Sequence, residues 1–131
     1  MRCPRLPLAA ALALLSLSGA SPKAEEYGPF KEQKTKLGTI LVNPNGMTMY
    51  TYDKDQSGVS TCTGKCAEHW PPVKASAIDK PTGEFTVIKR PDDTSQWAYD
   101  GKPLYLYADD KQAGDVTGDG KMGAWHVVKA E

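Results

Sequence analysis

The sequence of 131 residues has few of the residue types and none of the short motifs on which most catalytic sites depend. It contains three cysteines, two phenylalanines and two histidines, His69 and His126. It has no G-x-S-x-G, no H-E-x-x-H and no phosphate-binding glycine loop. Two histidines without a defined carboxylate partner are thin support for acid–base catalysis. We therefore expect a protein that is not an enzyme.

Charge and hydropathy argue against two further classes. Lys and Arg together number 16, as do Asp and Glu, and the charges are scattered. No basic surface for nucleic acid is therefore predicted. The apolar run at residues 6–17 is shorter than the roughly 20 residues of a membrane-spanning helix. It follows two arginines and ends in Ser18-Gly19-Ala20, which is typical of a secretory signal peptide.

Removal of this signal peptide, residues 1–20, would change the charge and the cysteine count. The mature chain would have a net charge near −2 and two cysteines, Cys62 and Cys66. Cys3 precedes the apolar run and is badly placed for lipid attachment, so we expect an unanchored periplasmic or secreted protein. An even pair of cysteines in an oxidising compartment favours a disulfide.

The mature chain contains an internal duplication with an offset of 55 residues. Asn45-Gly46 corresponds to Asp100-Gly101. Further residues that keep this spacing are Tyr50 and Tyr105, Tyr52 and Tyr107, Asp55 and Asp110, Trp70 and Trp125, and Val73 and Val128. The agreement predicts tandem repeats at about residues 42–73 and 97–128 within one small domain.

Local patterns within each repeat predict short strands. Runs of β-branched and aromatic residues predict strands at 39–42, 47–52, 84–89, 96–99, 102–107 and 124–129. Asn-Gly and Asp-Gly favour hairpin turns because both residues accept positive φ. We predict a mostly β domain at residues 37–131, built from two similar units of hairpin and long loop, with one helical turn at 66–70. Residues 21–36 are polar with little periodicity and predict a flexible lead-in.

The repeated motif allows a comparison with a known family. Y-x-[F/W/Y]-x-x-D occurs at residues 50–55 and 105–110, and Cys62-Thr63-Gly64-Lys65-Cys66-Ala67 and Trp70-Pro71-Pro72 follow its first copy. The chain resembles, over about residues 37–128, a bacterial family of small secreted proteins and lipoproteins that is named for this motif and whose function is unknown. The resemblance implies export, a β-rich repeat fold and an envelope or extracellular location, and no activity. The second repeat has Thr117 and Lys121 in place of the cysteines.

The aromatic and acidic residues of the motif each have two interpretations. The rings of Tyr50, Tyr52, Tyr105, Tyr107, Trp70 and Trp125 could form the core, or a stacking platform for a sugar, an aromatic metabolite or a peptide. Asp55 and Asp110 stand where a strand passes into a long loop, and there a carboxylate can accept backbone N–H bonds. As a catalytic pair, the two acids would have to lie close to one substrate bond.

The cysteine pair has a spacing that fits neither the usual zinc pattern nor covalent haem attachment. We favour a disulfide between Cys62 and Cys66 and no cofactor. The alternative is a copper ion on Cys62, Cys66 and His69, with Met47 or Met49 nearby, because thiolate and thioether ligands select Cu(I).

The last long loop is rich in aspartate and offers a weaker metal alternative. A cation could bind to Asp109, Asp110, Asp115 and Asp119, although His126 stands where an EF-hand needs glutamate. Taken together, we expect an exported envelope protein that binds an unknown partner or small ligand, or has a structural role. The alternative is a periplasmic copper or redox protein.

Overall fold

The computed structural model describes residues 27–130, and within them the chain forms eight short strands and two short helical segments. The strands are β1 (Lys31–Thr35), β2 (Gly38–Val42), β3 (Tyr50–Tyr52), β4 (Lys74–Ala75), β5 (Phe85–Lys89), β6 (Ser95–Tyr99), β7 (Lys102–Pro103) and β8 (Trp125–Val127). The helical segments are α1 (Lys65–His69) and a 3₁₀ turn (Lys121–Gly123). The predicted mostly β fold with minor helix is confirmed. The predicted signal peptide lies outside the described residues.

The strands pair into three small antiparallel sheets. β1 and β2 form a hairpin, and β3 pairs with the distant β8. β6 is the centre of the third sheet, where it pairs with β4, β5 and β7. Tyr50 and Tyr105 join the two halves, because each backbone N–H donates to the carbonyl of the other residue, at 2.8 and 2.9 Å.

Hydrogen bonds between the halves recur with the spacing of the duplication. The amide of Asp53 donates to the carbonyl of Ala124 at 2.8 Å. The counterpart bond, 55 residues away at each end, runs from the amide of Ala108 to the carbonyl of His69, also at 2.8 Å. The two repeats are therefore related by an approximate two-fold axis that passes near the Tyr50–Tyr105 pair.

The ungapped alignment of the repeats fails before the hairpin turn. The amide of Met49 donates to Leu41, whereas its counterpart Leu104 donates to Trp97. Leu41 and Trp97 are 56 residues apart, so the first turn holds one residue more. Asp100-Gly101, with φ of 53° and 80°, makes the tight turn of the second copy. The predicted strand at 47–52 is correspondingly reduced to β3.

The expected flexible lead-in is wrong for residues 31–35, because they form β1 and pair along their whole length with β2. Its sequence, KEQKT, has no apolar face, so the period that identifies a half-buried strand was absent. Tyr27 and Phe30 are buried, and the Phe30 ring lies 4.7 Å from that of Phe85. No helix in the described part of the chain is long and apolar enough to cross a membrane.

Candidate functional site

Four aromatic side chains stack in a single column between the two repeats. The order is Tyr52, Trp125, Trp70, Tyr107, with ring centroids 4.1, 3.8 and 4.2 Å apart and interplanar angles of 12°, 2° and 24°. The two indoles, one from each repeat, lie at the centre. Each indole has a tyrosine on one face and the other indole on the opposite face, so only its edges are open to other groups.

A second pair of tyrosines supports the column from the side. Tyr50 meets Trp70 edge-on, at 5.3 Å and 81°, and Tyr105 meets Trp125 in the same way, at 5.2 Å and 87°. Both tyrosines are fully buried. Five of the six motif rings therefore belong to the core, and the sixth, Tyr52, is half-buried.

The hydroxyl groups of the buried tyrosines bind the motif aspartate of the other repeat. Tyr50 donates to Asp110 Oδ2 at 2.7 Å, and Tyr105 donates to Asp55 Oδ2 at 2.6 Å. This exchange explains why tyrosine and aspartate recur together in the motif. Neither repeat contains both partners of its own hydrogen bond.

The other carboxylate oxygen of each aspartate holds its own long loop. Asp55 Oδ1 accepts hydrogen bonds from the amide and hydroxyl of Thr61. Asp110 Oδ1 accepts the equivalent pair from Thr117. Each motif carboxylate thus joins its loop to the opposite repeat, and neither carboxylate reaches the groove described below.

Burial determines the protonation of the two tyrosines. Burial, followed by the hydrogen bond to Asp55, raises the pKa of Tyr105 to about 12. Burial also raises the pKa of Tyr50 well above its ordinary value of about 10, and the hydrogen bond to Asp110 adds to the rise. Both phenols therefore remain protonated near neutral pH and act as donors.

A buried arginine extends this network in the first repeat only. Arg90 Nη1 donates to Ser60 Oγ and to Gln96 Oε1, both at 2.9 Å, and Nη2 donates to the carbonyl of Cys62 at 2.8 Å. Ser60 Oγ in turn lies 2.6 Å from the hydroxyl of Tyr105. Sequence reasoning missed Arg90, because a single arginine beside a proline turn carries no pattern that indicates burial.

An open groove of about 520 Å³ runs along one side of the ring column. It is lined by all four stacked rings and by Lys65, Cys66, His69, Lys121 and Met122. Both lysines and Met122 are exposed, and Lys121 Nζ lies 5.7 Å from the centre of the Tyr107 ring. The sequence offered no signal for Lys65 and Lys121 as site residues, since their importance depends on the packing of the rings.

The cysteine pair forms one wall of the groove. Cys62 and Cys66 are joined by a disulfide, with Cα atoms 5.2 Å apart. The bond spans the start of α1, where Gly64 takes a positive φ of 61°. Cys62 is buried, whereas Cys66 is half-buried and faces the groove.

The residues of the copper alternative do not form a metal site in this geometry. The disulfide leaves no thiolate on Cys62 or Cys66, and Met49 is buried in the other hydrophobic cluster, with Phe85 and Trp97. Among residues 27–130 no group of three or more His, Cys, Asp or Glu side chains is placed to hold a metal ion.

The aspartates of the second long loop each hold a different part of the chain. Asp115 accepts from the amides at residues 111 and 112, and Asp119 accepts from the amide of Val127. Asp109 accepts from the hydroxyl of Tyr107 at 3.3 Å. These acids are therefore not gathered around a common point, as the cation alternative requires. His126 is exposed, with Nε2 2.8 Å from Asp53 Oδ2.

The arrangement of the repeats agrees with a comparison to known families. The sequence model of the Lipoprotein_15 family, described as a secreted repeat of unknown function, matches residues 32–74 and 86–129. The chain belongs to this family. No curated protein and no solved structure matches the chain significantly.

The matched regions show that a Lipoprotein_15 repeat is longer than the duplication recognised from the sequence. Residues 42–73 and 97–128 omit the leading hairpin of each copy, whereas the matches begin within β1 and at β5. Each repeat therefore consists of a β-hairpin, a motif segment, a long loop and a closing segment that carries the tryptophan. The secreted character of the family agrees with the expected export.

Proposed function

We propose that this protein is exported to the periplasm or the cell exterior and binds a small ligand in the groove beside the ring column, without catalysing a reaction. One observation carries the proposal. The stacked rings do not end in a closed core but open along one side into a groove of about 520 Å³. This volume is within the range of small-molecule sites, which are mostly apolar with a few polar groups.

The rigidity of the groove supports binding. The indoles are fixed by stacking, and the tyrosines behind them are fixed by hydrogen bonds to carboxylates. A site that is ordered before the ligand arrives loses little conformational entropy on binding. The groove also has an exposed apolar rim, since Met122 is 82 % exposed. Exposed apolar surface beside a concave site is typical of an interaction surface.

The test is a titration of the disulfide-bonded mature protein, followed through backbone amide shifts in NMR. The probes are small planar aromatics, beginning with 2-naphthamide and 2-naphthoate, and a neutral disaccharide. We expect shifts confined to α1, the 3₁₀ turn and β8. Tyr52→Ala removes one end of the column and should abolish them. The matched control Val59→Ala, at an exposed apolar residue that does not line the groove, should leave them unchanged.

Two results would contradict the proposal. Either no probe shifts any amide, or the shifts fall outside the groove and persist in Tyr52→Ala. Free thiols on the exported protein that are protected by Cu(I) would instead favour the copper alternative, because a copper site on Cys62 and Cys66 requires reduced sulfur.

A further inference from the structure

We infer that the ligand of this groove is a small aromatic anion, of which an aromatic carboxylate is the simplest example. The inference rests on the proposed function and adds the charge and the aromatic character of the ligand. It is carried by two independent features, the orientation of the stacked rings and the charges around them.

The first feature is that the groove presents ring edges. Trp70 and Trp125 have both faces covered, by each other and by Tyr107 and Tyr52. A ligand beside the column therefore meets their edges. The edge of an aromatic ring carries partial positive charge and the face carries partial negative charge. Edges thus attract an anionic group, and they also attract the face of another aromatic ring.

The second feature is a pair of lysines that the repeats place in similar settings. Lys65 follows Gly64 at the start of α1, and Lys121 follows Gly120 at the start of the 3₁₀ turn. Both glycines have positive φ, of 61° and 83°. Both lysines line the groove, so the two repeats each contribute one cation to the same site.

The local charge is not a reflection of the whole chain. The complete sequence has equal numbers of basic and acidic residues. Within the described part of the chain, however, the residues that line the groove include two lysines and no carboxylate. Asp109 is bonded to the hydroxyl of Tyr107 but does not line the groove. The groove is thus a cationic site on a nearly neutral protein.

The position of Lys121 shows how a ligand would be oriented. Its ammonium lies 5.7 Å from the centre of the Tyr107 ring, within the distance of a cation–π contact. An anionic group would bind near this ammonium while its aromatic part lies against the indole edges. Exposed ion pairs are weak, so replacing one lysine should weaken binding by up to about fivefold.

The experiment compares two probes of the same shape, 2-naphthoate and its neutral amide, 2-naphthamide, by calorimetric titration of the disulfide-bonded mature protein. We expect the carboxylate to bind more tightly, and its affinity to fall as ionic strength rises. Lys65→Gln and Lys121→Gln should each weaken the carboxylate and leave the amide unchanged, and their effects should combine in the double variant. Lys80→Gln, at an exposed lysine that does not line the groove, is the control.

The outcomes separate the two proposals. If both probes bind in the groove with equal affinity, or if the double variant binds the carboxylate as well as the unaltered protein does, the inference about charge is overturned and the binding groove stands. If neither probe binds, both proposals fail. Circular dichroism of each variant establishes that a loss of binding is not a loss of fold.

Discussion

Removal of a single oxygen atom, in Tyr50→Phe, tests whether the exchanged hydrogen bonds hold the two repeats together. The Tyr50 hydroxyl donates to Asp110 Oδ2 at 2.7 Å and accepts from the amide of Gly118 at 3.1 Å. Both bonds are buried. Phenylalanine keeps the ring contacts with Trp70 and Tyr107 and removes both bonds. The variant therefore isolates the polar contribution from the packing of the rings.

The expected magnitude follows from the two bonds. A hydrogen bond to a charged group contributes about 1.5–3 kcal/mol and a neutral one about 0.5–1.5 kcal/mol. Because water cannot easily replace the hydroxyl at a buried site, we expect Tyr50→Phe to lower the free energy of unfolding by about 2–4 kcal/mol. Such a loss is a large part of the roughly 5–15 kcal/mol that stabilises a typical domain.

The repeat supplies two comparison variants. Tyr105→Phe removes the equivalent bond to Asp55, but Asp55 is only half-buried, so water can solvate its free oxygen. We expect a smaller loss of about 1–2 kcal/mol. Tyr52→Phe is the control, because in the described structure the Tyr52 hydroxyl makes no hydrogen bond, and the change should be within about 0.5 kcal/mol.

The assay is urea denaturation, followed by tryptophan fluorescence and by circular dichroism. Coincident transitions would establish that the domain unfolds in one step, which the comparison of free energies requires. A loss in Tyr50→Phe no larger than that in Tyr52→Phe would refute the reasoning. In that case the motif tyrosines would act through their rings alone.

Three further predictions concern pH, the disulfide and the packing of the column. The phenol of Tyr105, whose pKa is raised to about 12, contributes stability that is complete below about pH 10 and is lost as the pH passes 12. The denaturation midpoint should fall across that range by an amount equivalent to about 3 kcal/mol, and a fall that is complete below pH 10 would contradict this assignment. Replacing both Cys62 and Cys66 with serine should retain the fold and cost about 2 kcal/mol in thermal unfolding, while the unaltered protein shows no free thiol in a thiol titration. Gly118→Ala should cost about 1–3 kcal/mol in urea, because the new Cβ would lie 2.7 Å from Trp70 Cη2; unchanged stability would mean that the rings can move aside.

Sequence reasoning predicted those parts of the fold that depend on local chemistry. Asp100-Gly101 is a hairpin turn because both residues accept positive φ, and the spacing of Trp70 and Trp125 identified equivalent positions. The strand β1 was missed, because its polar residues have no period and it is specified by pairing with β2.

The site was predictable only in part. The six motif rings could be named from their repetition, but whether they formed core or platform depended on packing between the repeats. The exchange of Tyr50 with Asp110 could not be read from the chain, because spacing alone does not say which of two aspartates a tyrosine meets. The same holds for the groove, whose lysines become neighbours of the rings only in the folded protein.

The pairing of β3 with β8 has a consequence for the order of events when the chain is made. β3 lies in the first repeat, and its partner is among the last residues of the protein. Trp125, at the centre of the ring column, is equally late. The first repeat thus cannot complete its own half of the structure while the second is still being synthesised or translocated. Long-range pairing of this kind slows folding. A protein built in this way stays open until its C-terminal end has emerged, and a chain destined to cross a membrane gains time from that delay.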